Sequence, residues 1–118
     1  MIHQKEVLNI TDYLKENANE QIKYLVKELI ETTQDVDLIY LGKFSKQVLQ
    51  ASGIDLEELS KYNTFDVFLG YEDYYVMRIC AVDGGEDAEC TSISEHHEIL
   101  AEMLLPLIAI RYGEVFNK

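Results

Sequence analysis

FDVFLGYEDYYVMRICAVDGG, residues 65–85, decides the fold. Aromatic and β-branched residues dominate it, and the apolar positions alternate. Phe65, Val67 and Leu69 fall on one face of a first run, and Tyr75, Met77, Ile79 and Ala81 on one face of a second. Gly70 to Asp73 offers a turn between the runs, and Asp83-Gly84-Gly85 a second turn after them. The segment predicts two antiparallel strands, and residues 88–92 suit a third, edge-like strand.

Outward from this segment the period changes from two to about 3.6. Residues 4–33 place Val7, Ile10, Tyr13 and Leu14, then Ile22, Leu25, Val26, Leu29 and Ile30, at helical spacing. Asn17, Ala18 and Asn19 interrupt the pattern, which predicts two helices, the second beginning through Asn19 with Glu20 in its first turn. Leu38 to Leu41 suits a strand ending at Gly42, and 44–50 is amphipathic and closed by Gly53. Asp55 and Glu58 have the spacing of a capping box for a short helix to about Lys61. On the other side, Ser92 and Glu95 predict the start of a last helix bearing Ile99, Leu100, Met103, Leu104, Leu107 and Ile108, kinked or restarted at Pro106. Helices flanking an antiparallel sheet make the fold class α+β, in a single domain spanning 1–118.

Composition narrows the function. The 118 residues carry a formal net charge of -12, and residues 79–110 hold Asp83, Glu86, Asp87, Glu89, Glu95, Glu98 and Glu102 with no Lys or Arg. Such self-repulsion exceeds what solubility needs and points to a strongly positive partner, against the plainer account of a generally acidic domain. With ten Lys and Arg spread along the chain, nucleic acid is a poor direct ligand. The first residues lack a signal peptide's basic and apolar regions, and no apolar run reaches the roughly 18 residues of a membrane span. A cytosolic protein is expected, with Cys80 and Cys90 reduced and Cys80 a small core residue; a bridge between them is the alternative.

Catalytic patterns are sparse. Adjacent helical residues point about 100 degrees apart, so His96 and His97 are not expected to share a metal ion, and a solvated helix start accounts for them. Cys90 with either histidine lacks an orienting motif for nucleophilic catalysis. Gly84-Gly85 is followed by acids that would repel phosphate, and Glu57 and Glu58 are neighbours on an exposed helix. The expectation is a protein that is not an enzyme, with no cofactor and no metal.

Two blocks, LGKFSKQVLQ (41–50) and LLPLIAIRY (104–112), separated by the tyrosine-rich strand pair, resemble the staphylococcal-type uracil-DNA glycosylase inhibitors. The matching positions are Leu41, Gly42, Ser45, Leu49 and Gln50, then Pro106, Leu107, Arg111 and Tyr112. The resemblance covers residues 38–83 and part of the carboxyl end. It implies a DNA mimic that occupies the enzyme's DNA-binding groove and blocks uracil excision. A base-flipping glycosylase has a basic groove for phosphates and an apolar side chain that enters the base stack. Carboxylates can meet the first, and an apolar pocket the second.

Carried onto this chain, the resemblance implies phosphate-mimicking acids at Glu20, Glu28 and Glu31 on the second helix and the residues leading into it, and at Glu57 or Glu58 before the strand pair. Plain helix surface is the competing account, and Lys23 and Lys27 dilute the charge beside Glu28 and Glu31. The pocket is assigned to Val67, Leu69, Met77 and Ile79, with core as the competing account. The chain is shorter than the family between its first two helices and longer over 84–99. Asp83, Glu86, Asp87 and Glu89 are therefore an added or replacement contact surface. The alternative reading is an immunity-type or phage-borne inhibitor that masks a nuclease or another DNA-binding protein.

Overall fold

The computed structural model describes residues 7–17, 21–82 and 89–116. Strand β1 (Val7–Asn9) leads directly into helix α1 (Ile10–Glu16), which is capped by Asn9, whose Oδ1 accepts from the Thr11 N–H at 2.8 Å. Helix α2 (Ile22–Thr32) follows, then strand β2 (Leu38–Ser45) and helix α3 (Lys46–Ala51). A 3-10 helix (Glu57–Lys61) precedes β3 (Thr64–Tyr71), β4 (Tyr75–Ala81), β5 (Cys90–Ser94) and the long helix α4 (His97–Phe116).

The strands form one five-stranded sheet in the order β1-β2-β3-β4-β5. All neighbours are antiparallel except β1 and β2, which are parallel. The α+β class holds, with a mixed sheet. The alternation over 65–81 holds too: Phe65 faces Ala81, Val67 faces Ile79 and Leu69 faces Met77 across the ladder. These inward side chains join Ile39 and Leu41 of β2 beneath Leu14 of α1, Leu25 and Leu29 of α2, and Leu100, Leu104 and Leu107 of α4 in one core. Full burial of each large side chain is worth about 1.5–3 kcal/mol. The opposite face carries Tyr40, Asp66, Phe68, Val76, Arg78 and Cys80, none of them fully buried.

Several boundaries differ from the sequence reading. Val7 belongs to a strand, because a parallel register with Leu38 satisfies its backbone where a helix was predicted. Helix α2 has Gln21 as its N-cap rather than Asn19, which lies outside the described residues. Gly42 does not end β2 but sits in a bulge with φ +117, a conformation open to glycine, and the strand continues to Ser45. The first hairpin turn is tighter than predicted, since Tyr71 pairs with Tyr75 and Asp73 takes φ +66. The second turn, at 83–85, lies outside the described residues. Ser92 is in β5 rather than at a helix cap, and α4 runs through Pro106. Pro106 cannot donate to the Glu102 carbonyl and its ring crowds that group, and because both residues are exposed this local disruption lies on the solvent side.

The cysteines are the largest departure. Cys80 and Cys90 are register partners on the outer face of β4 and β5 and form a disulfide. Cys80 is half-buried rather than a core residue, because the strand's inward positions are the odd ones. Among the described residues no helix is long and apolar enough to cross a membrane.

Candidate functional site

Glu28 and Glu31 stand one turn apart on α2, and Asp35 follows just past its end, so the three align at one end of the helix. They border a shallow depression of about 380 Å³ with Tyr13, Asn17 and Thr32. Glu28 is half-buried and is fixed in place by the Tyr13 hydroxyl, which donates to Glu28 Oε2 at 3.0 Å. Glu31 and Asp35 are exposed. Helix α2 has no acid in its first turn and no base in its last, so its acids gather where the macrodipole is already negative. Glu20 lies outside the described residues.

A second acidic group forms beside the start of β5. Glu57 and Glu58 from the 3-10 helix and Glu89 from the start of β5 line one depression of about 180 Å³, together with Leu56, Leu59 and Cys90. Glu57 takes φ +53 there, with its N–H donated to Asp55 Oδ1 at 3.0 Å. Glu89 accepts from the Tyr62 hydroxyl at 3.1 Å and pairs with Lys61 Nζ at 3.4 Å. The hydrogen bond from Lys61 to Glu89, followed by the charge of that carboxylate, holds the Lys61 ammonium above the usual lysine range. The structure thus unites Glu57 and Glu58 with Glu89, which the sequence reading had assigned to separate surfaces. Asp83, Glu86 and Asp87 lie outside the described residues.

The apolar pocket is elsewhere than predicted. Val67, Leu69, Met77 and Ile79 are each 0% exposed and belong to the core, because the helices cover the sheet face that carries them. An open groove of about 790 Å³ runs instead between α2 and the first turns of α4. Val26, Ile30, Tyr75, Ala101 and Leu105 supply its apolar surface, and Lys23, Lys27, Glu31, Gln34, His97 and Glu98 its polar rim. Gln34 Nε2 donates to the Tyr75 hydroxyl at 2.7 Å and closes one end. Glu31 borders both this groove and the acidic depression. The signal available in the sequence was small Ala101 one turn before Leu105, facing the apolar pair Val26 and Ile30 one turn apart on α2. Nothing in the strand pattern could have shown it.

His96 lies outside the helix and His97 begins it, so the angular argument for two helical neighbours does not apply to them. Their rings are 4.2 Å apart, and with Glu98 they offer donor atoms within 4.8 Å of one another. All three are exposed, as surface groups of this kind often are with no ion bound. Cys90, bridged to Cys80, presents no thiol for nucleophilic attack.

Among the described residues these features are those of an acidic α+β protein with two carboxylate clusters and an apolar groove. Comparison of the chain with protein-family models, with curated proteins and with solved structures finds no match in any of the three.

Proposed function

We propose that this chain is a DNA-mimic inhibitor that occupies the DNA-binding groove of uracil-DNA glycosylase and blocks uracil excision in the cytoplasm. The observation that carries the reading is the position of Glu31, shared by a row of acids and an open apolar groove. Glu28, Glu31 and Asp35 offer aligned anions to a basic cleft, while the space between α2 and α4 suits an apolar side chain of the kind that enters a base stack.

Energetics favour a functional account of the acid row over plain surface. A carboxylate at a helix carboxyl end is disfavoured by about 0.3–1 kcal/mol, and like charges one turn apart add to this. An acidic placement that opposes the dipole is accounted for by a partner that rewards it. The net charge of -12 adds long-range attraction, which raises encounter rates toward about 10⁸–10⁹ per molar per second at low salt. The resemblance of residues 41–50 and 104–112 to the glycosylase inhibitors names the enzyme.

The test is a uracil-excision assay with increasing amounts of the purified chain at two salt concentrations. Block at a one-to-one ratio, weakening as salt rises, is the expected result. Full excision at large excess would end this reading in favour of a masked nuclease or other DNA-binding protein.

A further inference from the structure

We propose that the Cys80–Cys90 pair is a site of thiol–disulfide exchange with a dithiol reductant, and that its redox state sets how firmly β5 holds Glu89 beside Glu57 and Glu58. Three observations converge on it. The two residues are directly opposed in the β4–β5 register, on the sheet face opposite the core, and Cys90 is exposed to an attacking thiolate. Strand β5 is the sheet's last strand and pairs with β4, so the bridge is a side-chain crosslink to that neighbour in addition to the backbone that connects them. Cys90 itself lines the depression formed by Glu57, Glu58 and Glu89, so a change in the bridge is felt directly at that cluster.

The exchange balances with the reductant alone. A thiolate of the dithiol attacks Cys90 Sγ, the bond to Cys80 Sγ breaks, and Cys80 leaves as a thiolate that takes up a proton. The reductant's second thiol then displaces Cys90 from the mixed disulfide. Two electrons pass from the dithiol, which becomes a disulfide, to the protein, which gains two thiols. Opening the bridge removes a crosslink between positions 10 apart in sequence, and with it the covalent anchor at the start of β5. Among the described residues, Glu89 then keeps its contacts with Tyr62 and Lys61 and the bond from the Ala81 N–H to its carbonyl at 2.8 Å.

The experiment compares the full chain oxidised, reduced with dithiothreitol, and carrying Cys80→Ser with Cys90→Ser. Intact mass should rise by two hydrogens on reduction. Amide hydrogen exchange at Thr91 to Ser94 should quicken at least about tenfold while β3 keeps its protection, and the melting temperature should fall by about 10 °C. Equal protection of β5 in the oxidised and reduced protein would overturn the proposal, as would two free thiols after treatment with a thiol oxidant. Chemical reduction of the unaltered chain keeps the test available if the double variant fails to fold. The link to the acidic surface rests on the function proposed above and has its own readout. Reduced protein should block excision several-fold less well than oxidised protein, and equal block by both forms would sever that link. No block by either form would strike the inhibitor reading and leave the exchange results standing.

Discussion

Arg111 of α4 lays its guanidinium over the space that a side chain at Gly42 would fill. It donates to the Lys43 carbonyl and lies over the Phe44 ring, 4.7 Å from its centroid, so the bulge in β2 and the last helix lock together. Gly42→Ala meets both this contact and the φ of +117, and should lose about 2–4 kcal/mol in thermal or urea unfolding. Adding Arg111→Ala should recover the steric part and leave the backbone part. A double-mutant cycle with no coupling would refute the contact.

Glu31 should show stability and function moving in opposite directions. Glu31→Gln removes an anion from the carboxyl end of α2 and should raise stability by about 0.3–0.5 kcal/mol. The same change should weaken the block of uracil excision by about tenfold or more, as loss of an interfacial charge contact does. A variant that keeps full potency at every salt concentration would remove Glu31 from the contact surface.

Ala101 tests the groove. Ala101→Phe projects a ring into the roughly 790 Å³ space between α2 and α4, which has room for it without disturbing the core beneath. The melting temperature should change by no more than about 3 °C, equivalent to well under 1 kcal/mol, whereas inhibition should fall by at least about tenfold. Unchanged inhibition would mean that nothing from the partner enters there.

Tyr40 carries a pH signature. Burial, then the hydrogen bond to Asp66 at 2.8 Å and the charge of that carboxylate, hold the Tyr40 phenol above its ordinary 10.0. A folded-state value above the unfolded one contributes stability that is complete below about pH 10 and is lost as pH rises through the folded value. Asp66→Asn should lower the Tyr40 midpoint while burial keeps it above the ordinary value. Carbon-13 NMR of the tyrosine rings, with Tyr40→Phe for assignment, measures this, and an unmoved midpoint would show that Asp66 has no part in the shift.

The strand pair at 65–81 was legible because a period of two with one apolar face admits a single register. Helix α2 was legible because Leu25, Val26, Leu29 and Ile30 repeat at helical spacing. Val7 was misassigned because the three residues of β1 are too few to display a period, and their pairing with Leu38–Tyr40 is nonlocal. The groove escaped the sequence for the same reason: Val26 and Ala101 are far apart in the chain, and only packing creates the space between them. The reduced cysteines expected from composition are overturned by the β4–β5 register, which opposes Cys80 and Cys90 and is a property of two strands together rather than of either cysteine.

The sheet terminates in β1, three residues long, and β5, five residues long. Ladders this brief display few backbone donors and acceptors, so they make poor templates for the addition of a foreign strand or a stack of sister molecules. A chain whose central strands alternate apolar residues gains from that arrangement a measure of protection against fibril growth.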